Sequence, residues 1–172
     1  MTVSEPATMI TDYALTLLCA YFALSLLRRS LGQRIGLWVS AFSVTAFAAL
    51  AGGTAHGFRI PLEESWSLVW KITVVSIALG SALLIAAGIR SALRPETRDE
   101  SARRSGHSWL KRAVAVSLLG VVVLVFRLSP HPLFNHNDLY HVIQMGGLIC
   151  LYRGAVLLHG LSESDRKRGS GS

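Results

Sequence analysis

Between Phe134 and Gln144 the chain reads Phe-Asn-His-Asn-Asp-Leu-Tyr-His-Val-Ile-Gln, which sets two histidines, a carboxylate and three amides at the start of an otherwise apolar run. At about 100° per residue, Asn137, Asp138, His141 and Gln144 share one helical face, and His136 points to the other side. Asp138 and His141 stand i, i+3 apart, a spacing that lets a carboxylate and an imidazole reach one ion, as in the Glu-x-x-His pairs of metal-binding bundles. The same spacing serves a helix start, where Asp138 would cap the first turn beside Asn137 or Asn135.

A second imidazole, His56, follows Ala51-Gly-Gly-Thr-Ala. Gly52 at i−4 and Gly53 at i−3 clear the helix surface beneath it, so a neighbouring helix can approach closely and His56 can reach across. An imidazole on each of two helices, together with Asp138 and an open position, would suit a catalytic zinc. Such a metal would activate water against an amide or ester, with Asp12 or Glu64 as base and Lys71 stabilising the oxyanion. Lys71 is expected to pair with Asp12, Glu63 or Glu64, or else to reach the interface beside Trp66 and Trp70. Two other readings use the same residues. His56 and His141 could be axial ligands of a haem, with Gly52 and Gly53 widening the cleft. Alternatively the polar cluster is a hydrogen-bonded network, or a binding surface for a lipid headgroup or a partner protein, with Tyr13, Trp66, Trp70 and Tyr140 as an interfacial belt.

The elements that must position these groups are membrane helices. The chain is 51% hydrophobic with mean hydropathy +0.45, and it holds several runs of about twenty nearly uncharged residues, each able to cross roughly 30 Å of hydrocarbon as a helix. Five spans are predicted, at about 10–27, 35–55, 66–89, 113–128 and 139–158. Alternating barrel-type strands are absent, so the expected fold is all-α, a polytopic helical bundle forming one transmembrane domain over residues 1–168. Basic residues cluster after the first span (Arg28, Arg29, Arg34), after the third (Arg90, Arg94, Arg98, Arg103, Arg104, Lys111, Arg112) and in the tail (Arg166, Lys167, Arg168). Because such residues are retained in the cytoplasm, the N-terminus is expected outside and the C-terminus inside. Asp12, His56, Glu64, Lys71, Asp138 and His141 then converge on the outer leaflet of the cell membrane, the inner membrane if the source is bacterial.

The net charge of +7 and pI near 10.1 follow from those loops. The charges are divided among span ends without interleaved aromatics, which speaks against nucleic acid and for anionic lipid as the partner, with a homo-oligomer or protein partner also open. Cys19 and Cys150 are the only cysteines. Both fall within spans and read as small buried hydrophobes. Residues 91–108, with Pro95, clustered charge and Gly106, read as a solvated cytoplasmic loop. Arg153 is expected to reach the headgroups with Tyr152, His159 to be an interfacial residue, and Gly169-Ser-Gly-Ser172 to be an appended linker. No phosphate loop, G-x-S-x-G elbow or H-E-x-x-H helix occurs.

The stretches Gly52-Gly-Thr-Ala-His56-Gly and Asn137-Asp-Leu-Tyr-His141-Val together resemble the CREST group of membrane proteins, which includes alkaline ceramidases and the adiponectin-receptor and hemolysin-III-like proteins. The resemblance implies a zinc site holding His56 and His141, and hydrolysis of a lipid amide. Two positions depart from that pattern: Gly52 stands where the group has serine, and Asn137 where it has the first histidine of an H-x-x-x-H pair. The group also has seven spans where five are counted here.

Overall fold

In the computed structural model, which describes residues 3–29, 35–131 and 134–160, the chain is all-α. Its helices are α1 (Pro6–Arg29), α2 (Gly36–Gly57), a short α3 (Arg59–Leu62), α4 (Trp66–Leu93), α5 (Glu100–Val125) and α6 (His136–Leu158). A 3-10 turn over Glu63–Ser65 joins α3 to α4. Among the described residues five helices, α1, α2, α4, α5 and α6, are long and apolar enough to cross a membrane, so the protein is a multi-pass membrane helical bundle. Arg34, Arg166, Lys167, Arg168 and the 169–172 linker lie outside the described residues.

Helix ends differ from the sequence reading where side chains cap the backbone. The segment expected as a loop over 91–108 is helical except for a short strap. Helix α4 runs on to Leu93, and α5 begins at Glu100 because the Asp99 carboxylate accepts from Ser101 N at 2.9 Å and Ala102 N at 3.4 Å. Glu100 then pairs with Arg103 and, at 3.1 Å, with Arg104, so the charged run is a solvated helical turn. Glu96 N and Thr97 N both donate to Leu158 O, at 2.8 and 3.0 Å, which ties the strap to the end of α6. The fourth span ends at Val125 rather than 128, followed by Arg127 in a left-handed conformation (φ 49°).

The core lies around α1, α2 and α6. Phe22 stacks on Tyr152 at 4.3 Å and meets Phe42 edge-on at 5.3 Å, with Cys19, Leu26, Trp38 and Leu148 buried around them. Tyr152, expected at the headgroups beside Arg153, is instead part of this core and shares a 2.7 Å hydrogen bond with Ser25. Arg153 turns outward over the Trp109 ring at 5.2 Å, and Arg112 shares that ring at 4.8 Å. His159 is not interfacial either. It is 4% exposed, its Nε2 bonds Ser91 Oγ at 3.1 Å, and its Nδ1 stands 3.1 Å from Glu96 Oε2, close enough for ion pairing but out of line for a hydrogen bond. Trp38 Nε1 donates to the same Ser91 Oγ at 2.9 Å.

Close approach between α1 and α2 depends on the expected Gly53 and also on Gly57. A Cβ on Gly53 would lie 2.9 Å from the Tyr13 ring and 3.0 Å from Asp12 Cβ, and one on Gly57 would overlap Met9. This contact brings Asp12 against the end of α2 that carries His56. Helices α1, α2 and α4 form one packed group and α5 with α6 another, joined mainly through α1 and α6, while α4 and α5 barely touch.

Candidate functional site

Antiparallel succession places the starts of α1, α4 and α6 and the ends of α2 and α5 at one end of the bundle. Below that end the five spans enclose a cavity of about 310 Å³, within the roughly 300–1,000 Å³ range of small-molecule sites. Its polar lining comes from four helices: Asp12 of α1, Thr45 and His56 of α2, Thr73 and Ser81 of α4, and Asn137, Tyr140, His141 and Gln144 of α6. Gly52 lines the wall, where a Cβ would come within 3.3 Å of Asp12 Oδ2, so the glycine leaves room for the carboxylate.

Each cavity histidine is backed by a carboxylate. Glu5 Oε2 lies 2.9 Å from His56 Nδ1, which leaves Nε2 for a ligand. The His56 ring meets Trp70 edge-on at 5.6 Å, and Trp70 stacks on Trp66, whose Nε1 donates to Ala55 O at 3.1 Å. Asp12 is 5% exposed and its Oδ1 lies 3.4 Å from His141 Nε2. Thr11 Oγ1 donates to Thr8 O at 3.0 Å, so the 3.0 Å contact between Thr11 Oγ1 and His141 Nδ1 is one in which Nδ1 donates. The Nε2 of a neutral imidazole would then bear no proton, and the contact with Asp12 is attractive when one proton is held between ring and carboxyl.

Asp138, expected as a ligand beside His141, does not line the cavity. It is fully buried, Thr8 Oγ1 donates to its Oδ1 at 2.7 Å and Asn135 N to its Oδ2 at 2.7 Å, while Asn135 Oδ1 accepts from Asn137 N and Asp138 N. This is a capping box, with both carboxylate oxygens engaged. The physical reason is angular: Asp138 follows Asn137 by about 100° around the helix, which turns it from the cavity toward α1. Glu64 and Lys71, expected as base and oxyanion donor, are exposed and line no part of the cavity. Among the described residues no ion pair joins Lys71 to Asp12, Glu63 or Glu64. Thus the structure brings together Asp12, His56, Asn137, His141 and Gln144, leaves Asp138 to the helix start, and sets Glu64 and Lys71 apart. Among the described residues no three His, Cys, Asp or Glu side chains are grouped as metal donors.

Glu5, Thr8, Thr11 and Thr73 were not singled out by sequence reasoning, and Tyr140 was read only as part of an interfacial belt. A signal existed for the first three, because Glu5, Thr8 and Thr11 are spaced three apart and Asp12 lies four after Thr8, the spacing of a single polar face of α1.

No curated protein and no solved structure matches the chain. A family model covers nearly all of the spans, matching residues 7–101 and 99–159, and the chain thereby belongs to the family of unknown function DUF6962.

Proposed function

We propose that this protein binds the polar group of a membrane-borne ligand in the cavity between its spans and handles a proton there through the Asp12–His141 pair. One observation carries the reading: hydrogen-bonding groups from four helices face a single cavity of ligand size within apolar spans. Polar and ionisable groups at that depth are costly unless partnered or used. Asn137, Gln144 and Tyr140 supply donors and acceptors, and His56 offers Nε2 with Glu5 behind it. Arg28, Arg29, Arg90, Arg94, Arg103 and Arg104 belong to the opposite end, so the positive-inside rule supports an outer-leaflet cavity and a cytoplasmic C-terminus in the cell membrane.

Zinc-dependent hydrolysis of a lipid amide or ester is the second reading. His56 and His141 share the cavity with Asp12, and a carboxylate behind an imidazole is the usual support of a metal ligand. It would require Asp12 in the place expected for Asp138, and His141 Nε2 turned from Asp12 to the metal. Haem ligation is less well supported, since both nitrogens of His141 already face Thr11 and Asp12.

Native mass spectrometry of protein extracted from its own membrane, read with its zinc content, tests these readings. Wild type is expected to carry a bound small molecule, and the Asp12→Leu/His141→Leu double variant to lose it while staying folded. Wild type without a bound molecule, or a double variant that keeps it, contradicts the proposal. Stoichiometric zinc lost with His56→Ala would favour the hydrolase.

A further inference from the structure

A second space adjoins the cavity. A cleft of about 650 Å³ runs between α4 and α5 with α6 as its floor, and it shares Ser81, Leu84, Tyr140 and Gln144 with the cavity wall. Beyond that shared boundary its lining is almost wholly apolar, with Lys111 the one charged residue at its far end. On α5 it runs from Leu110 to Val121, an axial length of about 17 Å, close to one leaflet of a hydrocarbon core roughly 30 Å thick. Because α4 and α5 barely touch, the gap between them faces the bilayer. Near one end of the cleft His107 Nε2 contacts Ala92 O at 3.1 Å, which links the two helices.

From this we infer that the ligand is a single-chain amphiphile with an uncharged, hydrogen-bonding head of the monoacylglycerol type, which enters sideways between α4 and α5. The inference rests on the cavity reading and adds the ligand class and the route. The head occupies the polar cavity, and the acyl chain lies in the cleft. An uncharged head fits because the ionisable groups at the cavity already face one another, Glu5 with His56 and Asp12 with His141, whereas Asn137, Gln144 and Tyr140 offer only hydrogen bonds. One chain fits because the cleft is one channel of one-leaflet length. Hydrocarbon is as favourable in lipid as in the cleft, so the cleft contributes selection and alignment more than affinity. A polar and an apolar volume that share a wall of Ser81, Leu84, Tyr140 and Gln144 match one amphiphile better than a second copy of the chain, whose helix would cover the apolar part alone.

Gly88 provides the test. It lines the cleft, and a Cβ built there meets nothing within 4 Å, so a side chain projects into the space the acyl chain would fill. The probe is monododecanoylglycerol, titrated onto detergent-solubilised protein by native mass spectrometry. Wild type should bind one molecule, and Gly88→Leu and Gly88→Phe should weaken binding at least about tenfold, the equivalent of about 1.4 kcal/mol, with unchanged melting. Gly36→Phe, also built into open space but away from both spaces, should bind as wild type. Gly88 variants that bind as wild type overturn the inference, as does a wild-type dimer that Gly88→Phe dissolves. If those variants bind normally while Asp12→Leu/His141→Leu does not bind, the cavity reading stands and the chain assignment falls; if the double variant binds normally, the cavity reading itself falls.

Discussion

Replacing Asp138 with alanine is expected to destabilise the bundle by about 2–3 kcal/mol, because it breaks the capping box and strands two donors together. Thr8 Oγ1, which is buried, and Asn135 N, which is half-buried, both lose their acceptor, each now 2.7 Å from a carboxylate oxygen. The contact with Thr8 also spans 130 positions of sequence, so its loss loosens α1 from α6 as well as the start of α6. Asp138→Asn should fall between wild type and alanine, since its amide oxygen can serve one donor but its NH2 group adds two unmatched ones. Thermal unfolding in detergent measures both. A direct ligand role would give another pattern, with near-native stability and loss of the bound molecule.

The second large effect is at Asp12 and His141. His141→Leu alone leaves the Asp12 carboxyl, 5% exposed, without its partner, and breaking a buried pair in this way typically costs about 3–5 kcal/mol. Removing both partners with leucine strands neither, so Asp12→Leu/His141→Leu should be more stable than His141→Leu, though it cannot bind the polar head. A double-mutant cycle read by thermal unfolding measures the coupling. Additive losses would mean that the two side chains do not act as a pair. This separation of stability from binding distinguishes a functional pair from a packing network, which should lose stability in every combination.

Much of the architecture was legible because hydrocarbon imposes simple requirements. Apolar runs of sufficient length identified all five spans. What escaped was polar and local. The start of α5 at Glu100 depends on Asp99 reaching back to two backbone amides, and composition alone made that charged stretch resemble a loop. Helical phase correctly put Asn137, His141 and Gln144 on one face. It could not say which neighbour stands beside each edge of that face, and for Asp138 the neighbour is Thr8 of α1. Lys71 and Glu64 show the same limit. Both belong to the correct end of the bundle, but the rotation of α4 and its lead-in turns exposes them away from the cavity. Gly52 and Gly53 were legible as a close-packing signal, and their neighbours prove to be Asp12, Tyr13 and Thr73.

The most direct measurement is an experimental density map of the protein held in a disc of its own membrane's lipids. The account predicts a continuous feature, with a compact part among Asp12, His56, Asn137 and His141 and an elongated part between α4 and α5 along Gly88. A cavity holding only ordered water, or one closed by rotated side chains with α4 packed against α5, would contradict it.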